Sequence, residues 1–341
     1  MNKIRLGKTE LMVTSSSFGA LPIQRLSEQD AVDILRRAYD EGINYFDTAN
    51  SYTDSEKKLG IALGDVRDKI VISTKSGGTD KKTVLSHIEN SLRMLKTDYI
   101  DLFQFHNPAV MPDPNDENGT YAAAQLMKEK GYIKHIGITN HRLPLAMDAV
   151  KSGYFETMQF PFSYLASDSE IGLVKACEEA DMGFIAMKGL AGGLLADARA
   201  CKAFMLQFPN VVPIWGIQAM WQLEQWLKLE KNPPEMTDEI KGIIEKDRSE
   251  LAGNFCRSCG YCLPCPADIN IPTAARMNML LRRSPYKRYM TEEFRAEMHR
   301  IDDCVGCRSC ASKCPYSLDT PNLLKYMLAD FDEFYAQHKD D

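Results

Sequence analysis

Along its first 230 residues the chain alternates short β-rich apolar runs with amphipathic stretches. The pattern predicts strands at 14–19, 43–47, 69–75, 99–106, 133–139, 157–160, 184–187 and 211–215. Between them it predicts helices at 27–41, 81–96, 119–130, 143–152, 169–181 and 220–228. In the second of these helices Val84, Leu85, Ile88, Leu92 and Leu95 recur at helical spacing and make one apolar stripe. Eight strand–helix alternations over this length point to a parallel (β/α)8 barrel. A doubly wound sheet is the alternative, but no Gly-x-Gly-x-x-Gly turn follows the first strand.

The pattern breaks at 229–253, where Pro233-Pro234 and a run of charges predict a linker carrying a solvated helix. Beyond it, cysteine runs are separated by two predicted helices, 273–283 and 292–300. The expected organisation is a barrel over 1–230, a linker over 231–253 and a small helical domain over 254–341. An apolar fraction of 44% supports a full core, and no apolar run approaches the length of a membrane span. A net charge of -6 argues against nucleic-acid binding. No charged-then-apolar leader occupies residues 1–20, so a reducing, cytoplasmic setting is expected.

Eight of the ten cysteines lie in the last quarter. The first run is Cys256-x2-Cys259-x2-Cys262-x2-Cys265-Pro266, and the second is Cys304-x2-Cys307-x2-Cys310-x3-Cys314-Pro315. The second has the spacing of the bacterial four-iron ferredoxin run, and the first is one residue shorter before its last cysteine. Three thiolates at i, i+3 and i+6 can wrap one corner of a cubane, and the fourth usually ligates the other cluster. Structural zinc sites typically use separated pairs of cysteines, and a disulfide framework does not suit a reducing compartment. The runs therefore predict two [4Fe-4S] clusters in an α-helical ferredoxin-like domain. Cross-ligation would join Cys256, Cys259 and Cys262 to Cys314, and Cys304, Cys307 and Cys310 to Cys265. Cys177 and Cys201 read as small buried hydrophobes.

In a barrel of this type catalytic groups come from the C-terminal strand ends. Those positions offer Asp47, Tyr52, Lys75 and His106, in the segments NYFDTANSY, VISTKSG and DLFQFHNP. Here about two thirds of the chain resembles the aldo-keto reductase family, whose Asp-Tyr-Lys-His tetrad stands in these contexts. The tail resembles the bacterial branch of that family with a C-terminal two-cluster extension. The resemblance implies reduction of a carbonyl, or oxidation of an alcohol, with Tyr52 as general acid and base. Physical chemistry asks for such a set. Hydride addition develops an alkoxide that needs a proton donor beside it. Tyrosine is a poor acid at neutral pH, and a neighbouring ammonium such as Lys75 stabilises the tyrosinate. Asp47 would pair with Lys75, and His106 would orient the substrate oxygen.

The resemblance also implies cofactor contacts. Thr139, Asn140 and Gln159 match the positions that hydrogen-bond a nicotinamide carboxamide. Met187 stands where the family usually has a ring-stacking tyrosine, and a methionine can cover a ring through its polarizable sulfur. Lys188 and Gly192, within KGLAGGL, could wrap a pyrophosphate. Around Gly216 the segment PIWGIQAMWQLEQWL offers Gln218, Gln222 and Gln225, and no Arg or Lys lies between Lys202 and Lys228. A 2′-phosphate would lack a strong cationic partner, which counts against a preference for NADP. NAD, weakly bound NADP, and no nicotinamide stay open, and a flavin is a further candidate.

Clusters pass single electrons whereas a hydride carries two, so an intermediary is needed between them. Three readings follow. The clusters pass electrons to a carrier or substrate at the barrel; or the barrel is a plain NAD(P)H-dependent carbonyl reductase with structural or sensing clusters; or the chain is a nucleotide-binding redox sensor or electron-transfer module. The first is preferred, and the complete tetrad argues against the third. A ferredoxin or flavodoxin donor is the expected partner. Arg276, Arg282, Arg283, Lys287 and Arg288 read either as a solvated basic face or as its docking patch. The loop HNPAVMPDPNDENG is expected to shape the substrate pocket, and His87, His135, His141 and His299 read as structural.

Overall fold

The computed structural model describes residues 1–251 and 255–339, so the expected boundary at 253/254 lies outside the described residues. The chain divides into two compact units. The first comprises 1–189 and 198–244; the second comprises 190–197 and 245–341.

The first unit opens with an antiparallel hairpin, β1 (Lys3–Arg5) and β2 (Met12–Thr14). A closed parallel barrel follows. Its strands are β3 (Ser17–Gly19), β4 (Tyr45–Asp47), β5 (Val71–Ser76), β6 (Ile100–His106), β7 (Ile133–Thr139), β8 (Thr157–Pro161), β9 (Gly183–Met187) and β10 (Val211–Gly216). The run predicted at 14–19 is therefore split, and its first residue belongs to the hairpin. The helices between strands are α1 (Glu28–Asp40), α2 (Ser55–Leu63), α3 (Lys81–Leu95), α4 (Thr120–Glu129), α5 (Leu143–Ser152), α6 (Asp168–Glu179), α7 (Ala198–Met205) and α8 (Met220–Lys231).

Two of these helices escape the sequence pattern. In α2 the buried face carries Glu56 and Lys58, so no clean apolar stripe appears. Both charges are held: Thr74 Oγ1 donates to Glu56 at 2.5 Å, and Lys58 Nζ donates to the carbonyls of Ile23 and Leu26. All of α7 except Arg199 is buried, which erases amphipathic periodicity. The N-terminus of α6 shows the opposite case. Ser167 and Glu170 form a reciprocal capping box, as a Ser-x-x-Glu spacing leads one to expect.

Alternation with period two sorts the barrel interior into layers. At the N-terminal end Tyr45, Val71, Leu102, Ile185 and Val212 pack with Leu6 and Val13 of the hairpin. Two or four residues further along, β4, β5, β6 and β8 bring in Asp47, Ser73, Lys75, Gln104, His106 and Gln159. An apolar floor thus carries a polar upper layer, and the polar layer lies at the C-terminal strand ends.

The helix foreseen in the linker is α9 (Asp238–Glu250). It is not solvated all round, because Ile240, Ile244 and Asp247 are buried, as is Leu251 after it. These positions recur at intervals of three and four and give the helix one buried face. The division between the units falls inside α9.

The second unit is built from α10 (Ile271–Ala274), α11 (Met277–Arg283), α12 (Glu292–His299), α13 (Ser309–Ser312) and α14 (Thr320–His338). Leu324, Met327, Leu328, Phe331 and Tyr335 make a buried stripe along α14. The helices predicted at 273–283 and 292–300 do not include it. Its Pro321 sits in the first turn, where the missing N–H costs nothing, so it marks a start and not a break. Among the described residues, no helix is long and apolar enough to cross a membrane.

Candidate active site and cluster cavities

The strand ends bring the tetrad together. Lys75 Nζ lies 2.6 Å from Asp47 Oδ1 and donates to the Thr48 carbonyl at 2.6 Å. The Asp47 and Lys75 side chains are 3% and 1% exposed, so this is a buried ion pair with further hydrogen bonds. Ser73 Oγ donates to the second Asp47 oxygen at 2.6 Å, and Tyr45 Oη donates to Ser73 at 3.0 Å. Lys75 Nζ stands 5.4 Å from the centre of the Tyr52 ring, and the Tyr52 and His106 rings meet edge to face at 5.8 Å.

Burial pulls the Lys75 ammonium below its ordinary pKa, and Asp47 opposes that shift. Burial, followed by repulsion from Lys75, lowers His106 from 6.5 to about 3. The imidazole is therefore neutral at working pH, able to donate or accept but carrying no charge. Burial raises the nearby Glu56 carboxyl above its usual range. The backbone is strained at the same places. Thr53, Asn107 and Lys188 follow Tyr52, His106 and Met187, and each has a left-handed φ, of 36°, 51° and 57°. Such non-glycine residues are uncommon, although others in this chain, such as Lys96 after α3, lie away from the tetrad.

Gln104 was not singled out from the sequence. Its Nε2 donates to Gln159 Oε1 at 2.9 Å and reaches Asp47 Oδ2 at 3.3 Å, so it bridges the tetrad to β8. Its own Oε1 is buried without a partner. The signal was available: in DLFQFH a polar residue two before a strand-end histidine faces the same side.

The residues expected to touch a cofactor fall in several places. Thr139 ends β7, Asn140 follows it and Gln159 lies in the middle of β8, and all three are buried. Thr139 Oγ1 accepts from Asn107 N at 3.0 Å, while Asn140 donates to the Pro108 carbonyl and accepts from Arg142 N. These bonds anchor the HNPAVMPDPNDENG loop to the end of β7. Met187 is partly buried against the core, and Lys188 follows it. Gly192 does not group with them. Residues 190–197 belong to the second unit, where the Gly192 carbonyl accepts from Arg276 Nη1 at 2.8 Å and the Leu194 carbonyl from Arg283 Nε at 3.1 Å. The segment expected to wrap a pyrophosphate as one piece is thus divided between units.

Gly216 ends β10 and is exposed; Gln218 N donates to Gln222 Oε1 at 2.9 Å. Arg25 Nη1 donates to Gln218 Oε1 at 3.2 Å. A cation therefore stands at the glutamine segment, supplied from the stretch after β3. The residues that follow β10 do not themselves contain it.

In the second unit the cysteines line two cavities. Cys256, Cys259 and Cys314 line one, together with Arg257 and Tyr316. Cys265, Cys304 and Cys307 line the other, together with Arg308. Cys262 and Cys310 border both. The fourth cysteine of each run thus faces the cavity of the other run. Among the described residues no three such groups converge as a single metal ion requires. Soft thiolates spread around a cavity suit a multi-iron cluster. Cys177 lies outside this set, and burial pushes its thiol up to about 12.

Part of the basic stretch is buried or paired, while Lys287 and Arg288 are exposed. Arg276 is buried, Arg283 pairs with Asp247 and Glu250, and Arg282 pairs with Asp330 at 2.7 Å. Carboxylates distant in sequence neutralise charges that looked unopposed along it. The other histidines also have partners: His87 with Ser76, His135 with Glu156, and His299 with Asp302 and Asp332.

Comparison with known proteins finds relatives for both parts of the chain. A family model described as the aldo/keto reductase family matches residues 14–203, and one described as a 4Fe-4S dicluster domain matches 255–319. The chain is 32% identical over 219 residues to L-galactose dehydrogenase of Arabidopsis thaliana, covering 58% of this chain and 69% of that protein. It is 30% identical over 211 residues to the uncharacterized oxidoreductase YqkF of Bacillus subtilis, covering 58% of this chain and 67% of that protein. Among solved structures, the holo form of aldo-keto reductase AKR11C1 from Bacillus halodurans superposes with a TM-score of 0.64 at 23% identity, covering 72% of this chain and 96% of that one. A Klebsiella pneumoniae aldo-keto reductase in complex with NADPH superposes at 0.63 with 22% identity, covering 72% and 94%.

Proposed function

Because the chain belongs to the aldo/keto reductase family and carries a 4Fe-4S dicluster domain, we propose that it interconverts a small carbonyl compound and its alcohol at Tyr52 while two clusters pass electrons. The observation that carries the reading is the buried Lys75–Asp47 pair set beneath the Tyr52 and His106 rings. Asp47 holds the ammonium in place, the ammonium favours Tyr52 as tyrosinate, and Tyr52 can therefore release its proton to a forming alkoxide. Neutral His106 orients the substrate oxygen without competing as an acid. Gln104 keeps Asp47 aligned and ties it to Gln159.

A reduced nicotinamide, when bound, supplies the hydride. Thr139, Asn140, Gln159, Met187 and Lys188 are the residues offered to it, and the orphaned Gln104 oxygen marks unused hydrogen-bonding capacity beside Gln159. Arg25 beside Gln218 supports NADP, because it supplies the cation that the segment after β10 lacks. The cysteine sets Cys256, Cys259, Cys262, Cys314 and Cys304, Cys307, Cys310, Cys265 would hold the clusters. Since a cluster moves one electron and carbonyl reduction takes two electrons and two protons, a carrier that takes up electrons singly and delivers them in pairs, such as a flavin, must stand between them. A ferredoxin or flavodoxin is the expected external donor.

Anaerobic assays with NADPH and NADH against a panel of aldehydes and ketones test the site. The wild type should turn over, and Tyr52→Phe should lose about 10²- to 10⁴-fold in kcat, the usual contribution of a general acid. Undiminished activity in that variant would remove the assignment.

A further inference from the structure

The two cluster sites do not stand in equal surroundings. Cys256 is buried, and its Sγ accepts from Ser258 N at 3.4 Å. Beside that turn lies Arg276, only 8% exposed and the one buried cation of the second unit among the described residues. Two carbonyls fix it: Nε donates to Pro272 O at 3.0 Å and Nη1 to Gly192 O at 2.8 Å. A Cβ built on Gly192 would sit 2.7 Å from Arg276 Nη1 and 3.5 Å from Ser258 Cβ, so loop, guanidinium and cysteine turn are packed together. Gly192 also has a φ of +70°, which glycine adopts without strain. The guanidinium interacts electrostatically with the Cys256 sulfur.

Among the described residues Arg276 has carbonyl partners and no carboxylate. A buried charge without a counter-charge is costly. The negative charge that can answer it is that of thiolate-bound iron at the Cys256 cavity. The Cys304 cavity is different. Cys307 is exposed, Val305 is 70% exposed, and the local Arg308 is open to solvent and already paired with Asp319 at 3.2 Å. Solvent and that pairing screen its charge.

We infer that Arg276 is a tuning residue that selectively raises the reduction potential of the cluster held at Cys256, so that the two clusters titrate separately. Reduction adds one electron to a cluster, and an unscreened cation beside it favours the more negative state. Cluster potentials respond to net charge, hydrogen bonds and exposure in this way. The inference rests on the dicluster domain and not on the electron-passing reading, so each can fail alone.

The test is an anaerobic redox titration of the full-length protein, followed by EPR, with iron and sulfide measured on every sample. The wild type should show two one-electron waves. Arg276→Gln should lower one wave by about tenfold in its reduction equilibrium constant, about 59 mV for one electron, and leave the other in place. Arg276→Lys keeps the charge and should stay within about threefold of wild type on that same scale. Gly192→Ala should displace the guanidinium and shift the same wave in the same direction by less. If Arg276→Gln fails to retain iron, Arg276→Lys and Gly192→Ala decide the matter. Unmoved waves in a fully loaded Arg276→Gln, equal shifts of both waves, or Arg276→Lys moving as far as Arg276→Gln would overturn the inference.

Discussion

The barrel site and the cluster domain are organised in opposite ways. In the barrel the charged groups answer one another: Lys75 has Asp47 and the Thr48 carbonyl, and Asp47 has Ser73 and Gln104. In the second unit eight thiols surround two cavities, and a buried arginine stands among carbonyls. In the first arrangement protein groups answer each charge. The second draws its cohesion from what the thiols bind, because metal-binding energy in such small domains is folding energy.

The comparison breaks first at the clusters. A Cys259→Ala/Cys310→Ala double variant removes one ligand from each proposed set. Hydrogen exchange should then show near-complete loss of protection over 255–319 with the barrel strands still protected. Equal loss in both regions would mean that the two do not fold independently. A smaller effect is expected inside the barrel. Asp47→Asn leaves a buried ammonium without its counter-charge, which should cost about 3–5 kcal/mol in urea unfolding of the barrel. A cost near zero would show that the pair is not as buried as its geometry indicates.

The smallest effect concerns pH. Since the His106 pKa is lowered to about 3 in the folded state from 6.5, the unfolded chain binds the extra proton between those values. That contribution to stability is present above about pH 6.5 and is lost progressively as pH falls toward 3. The difference in urea midpoint between wild type and His106→Gln should therefore shrink or reverse on going from pH 7 to pH 5. A difference independent of pH would mean that His106 is not held neutral.

Much of this was legible in the sequence because period and spacing are local. Eight strands and the two cysteine runs each rest on residues near one another in the chain, and the strand-end tetrad was found through three short segments that resemble those of the family. What escaped depends on distant partners. Arg25 reaches Gln218 across more than half the chain, Asp330 cancels Arg282, and Asp247 with Glu250 cancels Arg283. The face of α2 escaped because its buried charges are satisfied by Thr74 and by the carbonyls of Ile23 and Leu26. The division of KGLAGGL between units follows from Arg276 and Arg283 holding its carbonyls. Gln104 is the exception, since simple alternation from His106 would have placed it inside the barrel.

The most direct test of the account is whether electrons held in the clusters reach a substrate through Tyr52. Anaerobic protein, purified with whatever carrier it retains, is reduced chemically, freed of excess reductant and mixed with a carbonyl substrate found in the steady-state panel. The wild type should regain its oxidised cluster absorption and form one alcohol per two electrons, whereas Tyr52→Phe should stay reduced. Clusters that remain reduced in the wild type, or that reoxidise equally fast in Tyr52→Phe, would contradict it.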